Sequence, residues 1–258
     1  MPNEKVINLN ADLGESFGPW VMGDDDALLD IVASANLACG FHAGDPDVMR
    51  RTVAACIAKG VSIGAHPGYH DLQGFGRRAL KMSHAEIENL VAYQVGALIA
   101  VAALEGGQVT HVKPHGALNN QACVDAGISA AICRAVRAVD AKLILLAPAA
   151  SALLVAGREA GLTVVEEIFA DRAYQDDGQL APRGTPGAMI HGAEACAAHV
   201  RAMLAEGALI ALSGKRIPTA IGSVCVHGDG AEAVAVARHL RAALEAEGWR
   251  LATLPELT

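Results

Sequence analysis

Four short segments place residues capable of acid–base, ligand or anion chemistry at every second position. They are Asn8, Asn10 and Asp12; Ser62, Gly64 and His66; His111, Lys113 and His115; and Ser223, Cys225 and His227. Successive side chains of a strand point to opposite faces, so each set shares one face. In the first segment Ile7, Leu9 and Ala11 take the other face. Each segment runs into a turn and then a helical pattern. Strands in such an alternating chain are buried on both sides, so their polar faces must meet one another. A convergent polar interior is a site.

The residue types suggest what that site could do. Asp12 and Glu15 can act as general bases or orient a histidine. His66, His115 and His227 can exchange protons near neutral pH, and Lys113 offers a fixed charge to a carboxylate, a phosphate or an oxyanion. His42, His66 and His115, with Asp12, could equally bind a divalent metal. The HxxxH spacings His66/His70 and His111/His115 do not lie on helices, where such spacing would fix a ligand face. Parallel α/β folds bind ligands at the carboxyl ends of their strands. The residues expected there are Asp12 and Glu15, His42 and Asp45, His66, Lys113, His115 and Asn119, Asp171 and Arg172, and His227 and Asp229. A lone histidine is more often a hydrogen-bonded core residue. Four at the same end of four strands are most economically satisfied around a wet pocket.

The elements that must hold these groups are legible from periodicity. Strand-like runs fall at about 5–12, 34–41, 61–66, 109–115, 142–147, 163–170 and 217–227, with helical patterns at 25–33, 46–59, 84–105, 121–138, 149–160, 193–206 and 231–247. Asp24 (or Asp25), Asp45 (before Pro46) and Ser83 read as helix N-caps, and Ser83 with Glu86 makes a capping box. Roughly seven βα units predict a (β/α) barrel of about seven strands, irregular, forming one domain over 1–258. An open sheet would leave several polar strand faces against helices. The stretch from Asp171 to Gly192 is long for a βα loop and reads as a functional lid or a disordered segment.

Composition narrows the partners. The chain has 258 residues, is 52% hydrophobic and only 3% aromatic, and carries a formal charge of −8; its mean hydropathy is +0.31. Nucleic acid and anionic membranes are disfavoured by that charge, and base stacking by the few aromatics. Six scattered cysteines without a CxxC pair fit reduced thiols in a cytoplasmic protein. No secretory leader and no uninterrupted apolar run of membrane-spanning length are read. There is no GxxxxGK[ST], HExxH or GxSxG. Gly228-Asp229-Gly230-Ala-Glu-Ala233 fits GxGxx[GA], but on the last unit, where a tight turn or a phosphate-holding helix start is the better reading.

Longer stretches carry a family resemblance: Asn8-Leu-Asn-Ala-Asp-Leu-Gly-Glu-Ser-Phe-Gly18, Ala35-Asn-Leu-Ala-Cys-Gly-Phe-His-Ala-Gly-Asp45, Gly64-Ala-His-Pro-Gly68 and Gly74-Phe-Gly-Arg-Arg78. Val112-Lys-Pro-His-Gly-Ala-Leu118, Phe169-Ala-Asp-Arg-Ala-Tyr174 and Ser223-Val-Cys-Val-His-Gly-Asp229 continue it along nearly the whole chain. The sequence resembles the LamB/YcsF family, with His70 where proline is usual and Asn119 where tyrosine is usual. The resemblance implies a barrel related to the glycoside hydrolase/deacetylase superfamily. It implies ATP-dependent opening of 5-oxo-L-proline to L-glutamate, with ATP as co-substrate and with the B and C subunits of 5-oxoprolinase as partners. On that reading Asp12 or an adjacent histidine activates water, and His115 or His227 protonates the leaving nitrogen. Lys113 with Arg77, Arg172 or Arg183 holds phosphate or substrate carboxylate, and Asn10, Glu15, His42, Asp45, Asn119 and Asp229 complete the binding site. Two alternatives stay open: a stand-alone metal-dependent amide hydrolase or deacetylase, and a non-catalytic subunit that only binds the lactam.

Overall fold

The alternating segments close into a ring. The computed structural model describes residues 4–227 and 232–258. In chain order its strands are β1 (Lys5–Leu13), β2 (Ser34–Ala38), β3 (Ser62–His66), β4 (Val109–Val112), β5 (Ile144–Pro148), β6 (Val164–Phe169), β7 (Ala208–Ile210), β8 (Arg216–Pro218), β9 (Ile221–Val226) and β10 (Trp249–Leu251). The helices are α1 (Asp25–Leu29), α2 (Pro46–Lys59), α3 (His84–Leu104), α4 (Gly116–Ala122), α5 (Ala126–Val139), α6 (Ala152–Glu159), α7 (Ala193–Glu206) and α8 (Ala233–Ala246). Strands β1 to β6 run side by side in sequence order, and β9 pairs in parallel with both β6 and β1. The result is the closed, parallel, seven-stranded barrel that the periodicity predicts.

Both faces of its strands are buried, for different reasons. Ile7, Leu9, Ala11 and Leu13 on β1 join the apolar layer beneath the helices. Asn8, Asn10 and Asp12 point inward, where Asn36 of β2, His111 of β4 and Ser223 of β9 meet them. The inward positions of β5 and β6 begin as hydrocarbon. Ile144, Leu146 and Val165 form a separate cluster with Leu254 from the last residues of the chain. That segment reaches the barrel floor through β10, which pairs with Lys5–Ile7, the lower end of β1. Asn8 donates to the carbonyl of Ala252 and to Ser34 Oγ, which also accepts from the Leu254 amide. The amino end of the barrel is therefore plugged, and only the carboxyl end is free to hold a ligand.

Three sequence expectations are corrected. The helix expected over 121–138 is two helices, because Asp125 caps α5 through the amides of Gly127 and Ile128. The strand expected over 217–227 is divided: β8 pairs antiparallel with β7 outside the ring, and only β9 enters it. The 171–192 segment is an ordered strap, held by bridges of Arg172 to Met189 and of Tyr174 to Leu180 and Ala211. By length and composition α3 is apolar enough to cross a bilayer. Here it lies on the barrel, burying Ile87, Leu90, Val91, Val95 and Leu98, while its Gln94 side chain bonds both the amide and the carbonyl of Gly68.

One glycine decides how the interior packs. A Cβ at Gly64 would stand 2.1 Å from His111 Nε2, so the missing side chain is what lets that ring cross the barrel to Asn36. Gly96 on α3 meets nothing within 4 Å. Gly64→Ala is expected to destabilise by about 1–3 kcal/mol through overpacking. Gly96→Ala should stabilise by up to about 1 kcal/mol through helix propensity. Urea denaturation of both variants checks the contrast; equal effects would refute it.

Candidate functional site at the carboxyl end of the barrel

The floor of the site is a buried ion cluster. Lys113, the residue after β4, is 2% exposed, and its Nζ lies 3.0 Å from Asp12 Oδ1 and 3.1 Å from Glu167 Oε1. It also donates to Cys225 Sγ at 3.0 Å and to Asn10 Oδ1 at 3.4 Å. Asn10 in turn donates to Glu167 and Ser223, and Asn36 donates to Asn10 and Asp12. Burial pushes the Asp12 carboxyl up, but the charges of His66 and Lys113 outweigh it and hold Asp12 well below the usual carboxylate range. Glu167 moves the other way, because its burial and the nearby Asp12 charge prevail over the pull of Lys113. Burial opposes the charge on Lys113, yet Asp12, Cys225 and Glu167 raise its pKa above the ordinary value.

Above the floor stand three histidines and a carboxylate. His66 ends β3, His115 caps α4, His42 follows β2, and Glu15 follows β1. His66 Nδ1 lies 2.7 Å from the Lys113 carbonyl oxygen, and His115 Nε2 lies 2.8 Å from that of Phe75. A carbonyl only accepts, so both nitrogens carry their protons. The neutral rings therefore turn bare nitrogens, His66 Nε2 and His115 Nδ1, toward each other at 3.0 Å. Asp12 Oδ2 lies 3.3 Å from that His66 nitrogen, and Glu15 Oε1 lies 3.7 Å from that of His115. Lone pairs converging at such distances form a strong acceptor for a cation, either a proton or a metal ion. His42 stacks on His115 with ring centroids 3.7 Å apart, and its Nε2 is 3.3 Å from Glu15. Burial first, then the charge of His66, pushes His115 down to about 3. One ligand atom each from Glu15, His42, His66 and His115 lie within 4.8 Å of one another. Phe75, whose carbonyl fixes His115, holds a φ of 53°, a strained value for a bulky side chain.

The opposite wall comes from the ends of β6 and β9. His227 Nδ1 sits 2.8 Å from Asp171 Oδ1, which directs the proton to Nδ1 and leaves Nε2 bare. Phe169 stacks on the same ring. Burial raises the Asp171 pKa, but the hydrogen bond and charge of His227 outweigh it and leave it lowered. Between the walls lies a cleft of about 420 Å³ lined by Asp12, Glu15, His66, Lys113 and His115 on one side and by His227, Arg172 and Arg183 on the other, with Asn119 and Arg77. Of the residues expected from the sequence, these ten converge. Asn10 lies beneath Asp12 and Lys113, and His42 lies behind His115. Asp45 is elsewhere engaged: its carboxylate caps α2 through the amides of Asp47 and Val48 and fastens the amide of Gly18. Asp229 lies outside the described residues. Sequence reasoning missed Glu167 and underused Asp171. Glu167 has the same inward parity as Phe169, a signal hidden by its neighbour Glu166, which faces Arg158.

Lys113→Met leaves two buried carboxylates without their shared cation and should lower stability by about 3–5 kcal/mol near pH 7. Asp12 has a depressed folded-state pKa, so its pairing stabilises above the unfolded pKa and is lost as pH falls through the folded one. The orphaned carboxylates of the variant take up protons more readily. The gap between wild type and variant should therefore narrow toward about pH 4. Urea titrations at both pH values test this, and a gap that widens in acid would contradict the pairing.

The profile of the LamB/YcsF family matches residues 7–258. A protein from Azoarcus sp. (strain BH72), named as the A subunit of 5-oxoprolinase, is 61% identical over 251 residues, spanning 97% of this chain and 98% of that one. One of the same name from Rhodopseudomonas palustris (strain BisB5) is 55% identical over 243 residues, spanning 94% and 96%. The crystal structure of the lactam utilization protein from Thermus thermophilus superposes with a TM-score of 0.91 at 43% identity, over 96% of this chain and 100% of that one. The catalytic domain of a peptidoglycan N-acetylglucosamine deacetylase from Eubacterium rectale ATCC 33656 shares the fold alone, with a TM-score of 0.54 at 12% identity. With its profile matched almost from end to end and its barrel superposing on that of a full-length relative, this chain belongs to the LamB/YcsF family.

Proposed function

We propose that this chain is the lactam-handling subunit of an ATP-dependent 5-oxoprolinase, working with B and C subunits in the cytoplasm. The reaction is 5-oxo-L-proline, two waters and ATP giving L-glutamate, ADP and phosphate. The observation that carries this reading is the cleft itself: a bare histidine nitrogen beside an ionised carboxylate on one wall, and an Asp–His pair on the other. The relatives named for 5-oxoprolinase support the substrate assignment. The free, buried cysteines accord with a reducing compartment.

A γ-lactam is an unstrained amide with a poor leaving group, which is why coupling to ATP is reasonable. Phosphorylation of the lactam oxygen makes the ring carbon open to water. His66 Nε2, bare in its neutral tautomer and 3.3 Å from Asp12, takes the proton of that water. As the ring C–N bond breaks, its electron pair goes to nitrogen. The proton released by the water reaches that nitrogen through His227, whose bare Nε2, oriented by the Asp171 contact at Nδ1, first accepts it and then passes it on. A second water then cleaves the acyl phosphate that remains, releasing phosphate and leaving L-glutamate. Lys113, already balanced by Asp12 and Glu167, keeps Asp12 ionised.

A second reading is favoured by the histidine cluster: a metal-dependent amide hydrolase. Glu15, His42, His66 and His115 are a donor set that fits a divalent cation, because one carboxylate oxygen and three imidazole nitrogens lie within 4.8 Å of one another. Such an ion would supply a polarised water.

Turnover of 5-oxoproline by the chain with its B and C subunits, following glutamate and ADP together, tests the proposal. Asp12→Asn and His66→Ala should each lower turnover by on the order of 10²-fold or more, with glutamate and ADP falling in parallel. Near-wild-type turnover in both variants would overturn the assignment. Glutamate formed by this chain alone, without ATP and abolished by chelation, would establish the second reading instead.

A further inference from the structure

Among the described residues, two buried polar atoms on the cleft wall have no hydrogen-bond partner. Arg172, just past β6, is 6% exposed; its Nη2 donates to the Ala181 carbonyl, but its Nε has no partner. Asn119, on α4, is 5% exposed, and its Oδ1 has no partner either. Both side chains line the same cleft. A buried donor or acceptor left unmade costs about 1–3 kcal/mol, and more when charged, so each such group needs an explanation.

The two atoms have opposite requirements. Arg172 Nε is a cationic donor and calls for an anion. Asn119 Oδ1 is a neutral acceptor and calls for an N–H. Lys113, the sequence candidate for the anion, is already matched by Asp12 and Glu167. The carboxylate nearest to Arg172 in the chain, Asp171, is held by His227. Meanwhile Arg77 and Arg183 line the cleft with Arg172. Burial, then the charge of Arg183, lowers the Arg172 pKa.

We propose that Arg172 Nε and Asn119 Oδ1 are the paired recognition atoms for a cyclic secondary amide bearing a carboxylate. Arg172 binds the carboxylate and Asn119 accepts from the ring N–H. A phosphate brings no N–H, and its only donor is a P–OH that must stay protonated beside the cationic Arg172, so the pair favours the lactam acid over it. This rests on the lactam reading and deepens it, because it separates a specificity wall (Arg172, Asn119) from the proton-handling groups (His66, His227).

The test is calorimetric titration of the full chain with four probes. They are 5-oxo-L-proline; 2-pyrrolidinone, which lacks the carboxylate; 5-oxotetrahydrofuran-2-carboxylate, which lacks the N–H; and inorganic phosphate. Arg172→Met should weaken the two carboxylates by on the order of 10–100-fold and leave 2-pyrrolidinone within about twofold. Asn119→Leu should weaken 5-oxoproline and 2-pyrrolidinone and spare the lactone acid. A misfolded variant would lose every probe alike, so the crossed pattern is diagnostic. Losses by one common factor for all probes, or phosphate binding more tightly than 5-oxoproline through Arg172, would overturn the pairing while leaving the lactam reading intact. Wild-type chain that binds neither lactam probe would overturn both.

Discussion

The ammonium of Lys113, shared between Asp12 and Glu167 inside a closed barrel, is the interaction on which the rest of the site depends. A barrel interior is ordinarily filled by branched hydrocarbon side chains. Here hydrocarbon fills only the lower end, with Ile144, Leu146, Val165 and Leu254. Above them the charges must satisfy one another, because each ion taken from water alone would cost several kcal/mol. Lys113 also contacts Cys225, and its backbone carbonyl fixes the tautomer of His66. One residue thus links the floor, the ninth strand and the proton-accepting wall.

That linkage explains the asymmetry of the cleft. On the side of β1, β3 and α4, every polar atom of His66, His115 and Asp12 is oriented by a neighbour, leaving bare nitrogens at the mouth. On the side of β6 and β9, Asp171 orients His227, and the ordered strap through Ala181 positions Arg172. One wall is suited to taking a proton from water and the other to giving one to a leaving group, with the substrate between them. Both walls stand at the carboxyl ends of strands or in the turns that follow them.

The barrel and most of its mouth were legible because parity is a strong signal. Asn8, Asn10 and Asp12 alternate with Ile7, Leu9 and Ala11, and only a closed ring accommodates a strand that is polar on one face and apolar on the other yet buried on both. Glu167 was not legible, since two adjacent glutamates on β6 face opposite sides and nothing in their order says which is inside. The pairing of β10 with β1 and the Leu254 plug were missed because they join residues some 240 apart through short segments with no periodicity. The division at Asp125 was missed although its cap was readable; the apolar pattern continues across it and reads as one helix. Asp45 shows the converse: its position after His42 suggested a ligand, but its capping role accounts for its bonds.

The most direct measurement is nitrogen-15 imidazole NMR of the histidines, recorded before and after addition of 5-oxo-L-proline. The proposed lactam site predicts that the free protein shows His66 and His227 protonated at Nδ1 and His115 at Nε2. It also predicts that the bare Nε2 resonances of His66 and His227 shift when the lactam binds. Opposite tautomers, or a lactam that binds without moving either resonance, would contradict the claim that these two nitrogens face the substrate.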